Sequence, residues 1–324
     1  MAAPFSILYI AEADREAAVL ASGTLAYLVE AMPHASFTIV GSPETAPLFA
    51  DTPRLNRLMV LESEAPSDWI GLWNRLRHTR WGLIVDMRGS GLSARLRRDK
   101  RAVRGKDKGT GEEPGLHAVE AAARVLKLDD IPAPRLIVGE ETQAIADAVV
   151  RPDGRPILAV GPGTDWIGKC WPAERYSKIA AALLGEGGVL AGGRLLILGD
   201  EEDRDLVHTI RLAVPRNRVI EAHGRLTPLQ ACAALKHAAL YIGADSLWTQ
   251  LAVAAGIPVI GVFGPSDETR VGPWGGTSIR GPRSLAEYRE LDPRLNQAIQ
   301  HMMDLPADRV LKAAKTRLAL SSVK

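Results

Sequence analysis

The sequence predicts an α/β protein of two doubly wound domains facing each other across a cleft, and three observations predict it. Short β-rich runs alternate with helical patterns in both halves of the chain, the order that produces parallel sheets covered on both faces. A polar segment rich in proline and glycine, Arg151-Pro152-Asp153-Gly154-Arg155-Pro156, separates two such series and reads as a linker. The length of 324 residues suffices for two cores of ordinary size. The expected domains are residues 1–150 and 157–324, with the last helix free to pack back on the first domain.

In the first half, residues 5–11 read as a strand, and Val19, Leu20, Leu25 and Leu28 give residues 17–31 a helical face. Further strands are expected at 36–40, 57–61 and 82–86, with helical segments near 44–50 and 67–79. A basic run follows from Arg95 to Lys108, through Arg97, Arg98, Lys100, Arg101, Arg104 and Lys106. A glycine-rich loop and helical patterns at 116–126 and 141–150 complete this half. In the second half, strands are expected at 157–161, 194–198, 218–221, 240–243 and 258–263. Helices are expected through 184, at 203–212, from Pro228 with Thr227 as cap, and at 245–255, 294–303 and 307–320.

Composition excludes several classes. Apolar content of 46% and charged content of 24% are those of a globular protein, and a net charge of +2 gives no ground for nucleic-acid binding. The two cysteines, Cys170 and Cys232, suggest neither a disulfide framework nor a zinc site, so no metal is expected. The N-terminus reads as a first strand rather than a leader, and no apolar run is long enough to span a bilayer. A cytoplasmic protein is expected.

Two strand-to-helix junctions carry the chemistry. Ile157-Leu158-Ala159-Val160 runs into Gly161-Pro162-Gly163-Thr164, then Lys169, then a helix opened by Pro172. Free N–H groups and the helix dipole favour an anion there, and Lys169 adds a full positive charge. The spacing is neither that of a Walker A loop nor that of a dinucleotide fingerprint. The second junction, Gly243-Ala244-Asp245-Ser246, offers another helix N-terminus, and two of them suit a diphosphate. Asp245 is expected to cap that helix rather than meet the anion.

The motifs Gly-Pro-Gly-Thr-Asp-Trp-Ile-Gly-Lys-Cys-Trp-Pro-Ala-Glu-Arg-Tyr at 161–176, Gly-Arg-Leu-Thr-Pro-Leu at 224–229, Gly-Ala-Asp-Ser with Gln-Leu-Ala-Val-Ala-Ala-Gly-Ile-Pro through 258, and Val-Phe-Gly-Pro-Ser-Asp at 262–267 resemble glycosyltransferase family 9. These are the ADP-heptose:lipopolysaccharide heptosyltransferases. The resemblance implies a GT-B fold, inverting transfer without an essential metal, a nucleotide-sugar donor such as ADP-heptose in place of any cofactor, and a lipopolysaccharide or related glycan acceptor. By the same resemblance, Gly163, Thr164 and Lys169 contact the phosphates, Glu201 and Leu226 line the nucleoside pocket, and Asp245-Ser246 begin the diphosphate helix. Where the family has glycine and histidine in that helix, this chain has Leu247 and Gln250, the latter still able to donate a hydrogen bond.

Inversion needs a general base on the acceptor hydroxyl. The family's base is an aspartate in a Gly-Asp pair before the first helix, and those positions here hold Glu16 and Ala17. Asp14 and Glu16 are the candidate replacements, with Glu12 beside them. Without a base, the alternative is a catalytically silent nucleotide-sugar-binding homologue acting as a partner or regulator. The run from Arg95 to Lys108 is either a solvated loop or a contact with the inner membrane surface and its phosphorylated acceptor.

Overall fold

The computed structural model describes residues 5–105 and 116–321. It divides into two compact units, Met1–Gly139 and Glu140–Lys324. In the first unit β1 (Phe5–Ile10), α1 (Arg15–Ala31), β2 (Ala35–Gly41), β3 (Leu55–Val60), α2 (Pro66–Leu76), β4 (Trp81–Asp86), β5 (Arg98–Val103) and α3 (Ala118–Val125) follow in order. The sheet order is β3-β2-β1-β4-β5, parallel throughout. Central β1 is buried from Ile7 to Ile10, as expected of a strand covered on both faces. Leu8, Ile10, Val40 and Ile84 meet Leu72 and Leu76 of α2 in one core.

The second unit contains α4 (Glu140–Val150), β6 (Ile157–Gly161), α5 (Ala173–Leu184), β7 (Arg194–Ile197), α6 (Arg204–Arg211), β8 (Val219–Glu221), α7 (Pro228–Leu235), β9 (Leu240–Ala244), α8 (Leu247–Ala254), β10 (Val259–Phe263), α9 (Glu268–Val271), β11 (Thr277–Arg280), α10 (Leu285–Leu291) and α11 (Ala307–Ser321). Its six strands run parallel in the order β11-β10-β9-β6-β7-β8. Thr227 caps α7 in a capping box with Gln230, and Pro228 stands at the first helical position.

The structure departs from the sequence reading in several places, β11, α9 and α10 among them. The division falls after Gly139, because α4 packs on α7, where Asp147 meets His237 at 2.6 Å, so Arg151–Pro156 is a turn within the second unit. β5 carries almost no apolar pattern, yet it forms the sheet edge, where lysine and arginine guard an exposed ladder. The helix expected at 294–303 contracts to a single 3-10 turn, His301–Asp304. The Asp292 carboxylate accepts from Gln297 N–H at 2.8 Å and Leu295 adopts a positive φ, which commits that stretch to a turn. Finally, α11 packs on α5, β10 and β11 of its own unit. Among the described residues no helix is long and apolar enough to cross a membrane.

Candidate active site

Ligands of open parallel sheets sit beyond the carboxyl ends of the strands, where the strand order reverses. In the second unit that place lies between β6 and β9, which pair Gly161 with Gly243. The loop after β6 ends in a 3-10 turn, Ile167–Lys169, and Lys169 follows the chain back toward the junction after β9. Its Nζ lies 3.4 Å from Asp245 Oδ2 and 3.1 Å from Asp165 Oδ1. The cation is therefore fixed at the switch point rather than loose on the surface.

This geometry corrects the expected role of Asp245. Ser246, not Asp245, is the N-cap of α8, and its side chain makes no capping bond. Asp245 is buried, its Oδ2 facing Lys169 and its Oδ1 without a hydrogen-bond partner. It is the counter-ion that positions the lysine. Gln250 is also buried; its amide donates to the Val271 carbonyl at 2.8 Å, joining α8 to α9. Pro172 similarly lies one position earlier than expected, as the N-cap of α5.

Gly163 and Thr164 shape the loop. A Cβ on Gly163 would lie 1.9 Å from Asp203 Oδ2, so a larger residue fits only if the Asp203 side chain gives way. Asp203 is a site residue that the sequence reading missed; burial pushes its carboxyl above the usual range, while the N–H of Asp200 bonds it and pulls it back. The D-x-x-D spacing of a capping box at Asp200 was the available signal. Thr164 Oγ1 donates to the Trp166 carbonyl at 2.8 Å and lies 2.9 Å from Cys170 Sγ, bracing the turn from inside.

The rear of the loop is tied to the chain's last fifth. Trp166 Nε1 donates to the Gln297 carbonyl and Trp171 Nε1 to that of Leu305, while the Arg175 guanidinium holds the carbonyls of Met302, Met303 and Leu305. Trp171 is fully buried against Tyr176 and packs rather than stacks on a ligand. Beyond β7 and β8 a cavity of about 500 Å³ is lined by Glu201, Arg204, Arg216, His223, Gly224 and Arg225, among others. Glu201 is exposed there and pairs with Arg204, whereas Leu226 is buried.

In the first unit the order reverses between β1 and β4, which pair Ile10 with Asp86. Three carboxylates follow β1. Asp14 is exposed and spends Oδ1 on the N–H of Ala17 as the cap of α1, and Glu16 lies in the first helical turn. Glu12 is different: its side chain is only 13% exposed and is paired with Arg104. Burial raises its pKa, against the lowering influence of Arg104 and Arg88 and the raising influence of Asp14. Arg88 donates to the Ala11 carbonyl at 2.8 Å and pairs with Glu64, and buried Asp86 accepts from the N–H and hydroxyl of Ser90 and the hydroxyl of Ser93. His117 caps α3 through Nδ1.

A family model, glycosyltransferase family 9 (heptosyltransferase), matches residues 69–288, more than half of the chain. The chain belongs to glycosyltransferase family 9. The lipopolysaccharide heptosyltransferase 3 of Escherichia coli is 28% identical over 173 residues, covering 52% of this chain and 49% of that relative. The lipopolysaccharide heptosyltransferase 1 of Pseudomonas aeruginosa is 25% identical over 231 residues, covering 65% and 62%. The matched stretches thus span about half to three fifths of these family 9 relatives. The structure of the E. coli ADP-heptose lipopolysaccharide heptosyltransferase II superposes with a TM-score of 0.73 at 18% identity, covering 98% of this chain and 99% of that one. The shared architecture is the α/β GT-B fold of family 9.

Among the described residues no group of three His, Cys, Asp or Glu side chains is placed to hold a metal ion. Lys169 and the N-terminus of α8 are the positive groups at the second unit's switch point.

Proposed function

We propose that this chain transfers heptose from ADP-heptose to a lipopolysaccharide-core or related lipid-linked glycan acceptor, with inversion and without an essential metal. The observation that carries this reading is Lys169 held by buried Asp245 at the β6/β9 switch point of a family 9 chain. The second unit receives the donor. Its diphosphate lies against the Gly163–Thr164 turn, the Lys169 ammonium and the N–H groups that open α8 after Ser246. The nucleoside occupies the cavity rimmed by Glu201, His223 and Gly224.

The first unit receives the acceptor. Glu12 takes the proton from the attacking hydroxyl, because burial favours its proton-bound form and so strengthens it as a base, while the exposed Asp14 spends its Oδ1 on the Ala17 N–H. The hydroxyl oxygen bonds to the anomeric carbon as the bond to ADP breaks. Charge developing on the departing diphosphate is met by Lys169 and backbone donors already in place, which lowers the barrier without reorganisation.

The test is ADP release from ADP-heptose with a heptose-deficient lipopolysaccharide, alongside calorimetric ADP binding. Turnover that is lost in Glu12→Gln but kept in Asp14→Ala and Glu16→Ala, with ADP binding that depends on Lys169, is the expected result. ADP binding with no turnover on any acceptor would overturn the transferase reading, and absence of nucleotide binding would overturn the donor site itself.

A further inference from the structure

The loop after β6 rests on an aromatic stack that neither the base nor the diphosphate cradle uses. Trp166 is half-buried under the loop. The Gly168 backbone sits against its six-membered ring, where a Cβ would collide, and Lys169 is the next residue. Behind the indole stands His301. Its ring centre lies 5.6 Å from that of Trp166 and 5.6 Å from that of Tyr288, edge to face in both cases.

His301 and Asp292 are both shut away from solvent. His301 Nε2 lies 3.6 Å from Asp292 Oδ2, too far for a hydrogen bond, and has no hydrogen-bond partner. A buried polar atom left in this way calls for an explanation. An aliphatic side chain would fill the same space without leaving a nitrogen unpaired, but only a flat ring makes the edge-to-face contact that fixes the plane of the indole.

The same segment grips the loop at two further points. Asp292 Oδ2 accepts from the Gln297 N–H at 2.8 Å, and the Gln297 carbonyl accepts from Trp166 Nε1 at 2.8 Å. On the other side of Lys169, the Gln300 amide donates to the Cys170 carbonyl at 3.3 Å. Trp166 and Cys170 thus bracket the lysine that Asp245 holds from the opposite side. A shift of the indole moves that lysine.

We propose that His301 is a positioning residue for the donor diphosphate: its ring sets the plane of Trp166 and, through Trp166, the place of Lys169. The inference rests on the donor site of the proposed function, but one of its readouts needs no ligand. Cys170 reports on the loop. It is one of two cysteines and is only partly buried, with burial raising its thiol above the ordinary range. The other, Cys232, is fully buried, and burial pushes its thiol up to about 12. A loop released from its backing exposes Cys170 and leaves Cys232 silent.

The test compares His301→Gln, which keeps a polar end toward Asp292 and removes the ring, with His301→Phe, which keeps a ring. In His301→Gln, calorimetric ADP binding weakens about five- to tenfold, and the KM for ADP-heptose rises by a similar factor. The acceptor KM stays as it was, and a thiol reagent labels Cys170 about tenfold faster. His301→Phe stays within about twofold of the wild type in each measurement. A merely structural loss would lower the active fraction, and with it kcat, without moving either KM. Urea midpoints establish that the variants fold, and Trp166→Ala, at a half-buried loop position, makes the same predictions outside the core. In the Trp166→Ala/His301→Gln double variant the two effects do not add, because one residue acts through the other. Wild-type ADP affinity and Cys170 labelling in folded His301→Gln, the reverse ranking of the Gln and Phe variants, or additive effects in the double variant would overturn the proposal. ADP binding that needs Lys169 but ignores His301 removes this inference and leaves the proposed function standing. A wild-type protein that binds no ADP refutes the donor site, while the Cys170 rates still decide whether His301 sets the loop.

Discussion

The two switch points are built on one topological plan with opposite electrostatics. Between β6 and β9 a cation is exposed enough to meet an anion, and a buried carboxylate holds it from behind. Between β1 and β4 the buried charge is itself the reactive candidate: Glu12 sits in the protein with Arg104 on its outer side. On the proposed function, a strand end supplies either an anion cradle or a base, depending on which member of an ion pair the fold buries. The cradle needs its charge kept; the base needs its charge made uncomfortable.

The sharpest way to break this contrast is Glu12→Gln, which keeps the shape and removes the base. Turnover should fall about 10²- to 10⁴-fold with ADP affinity unchanged by calorimetry. Lys169→Ala attacks the other switch point and should lower turnover about 10²- to 10³-fold, this time with weakened ADP binding. If both variants lost affinity alike, the division of labour between the units would be wrong. Asp86→Ala removes a buried carboxylate that accepts from Ser90 and Ser93, and should lower stability by about 2–3 kcal/mol in urea melts. Gly163→Ala must push Asp203 aside at a cost of about 1–3 kcal/mol, read as weaker ADP binding with little change in kcat.

The smallest effect is the most diagnostic. Glu12 works as a carboxylate, so kcat/KM falls as pH drops through its pKa, and burial places that limb above the ordinary glutamate range. Arg104 lowers this pKa, so Arg104→Gln should move the acid limb to higher pH. A limb that stays put, or moves down, would remove Glu12 from the reaction.

Legibility in the sequence follows the same divide. The second unit's strand, glycine turn, lysine and helix start were readable as local structure because they are contiguous, and contiguity is what a motif records. The parallel sheets were readable from alternation, as were Thr227 and Pro228 at the head of α7. What failed depends on contacts distant in sequence. Asp245 reads as a cap until Lys169 is seen 76 positions earlier in the chain at 3.4 Å. Glu12, Asp14 and Glu16 are alike as letters and differ only in burial, which Arg104, 92 residues away, helps to set. β5 hid because an edge strand is selected for charge rather than for apolar alternation.

The rear ties of the loop after β6 also govern when that loop can take its shape. Trp171 reaches a carbonyl 134 residues further on, and Arg175 reaches across a similar separation. During synthesis the strand, the glycine turn and Lys169 emerge long before their backing does. Contacts of such high sequence separation close late, since the entropy of a long loop must be overcome first. The loop is therefore completed only when the segment from Gln297 to Leu305 has left the ribosome, and a nascent chain stopped short of it carries the whole motif without the scaffold that shapes it.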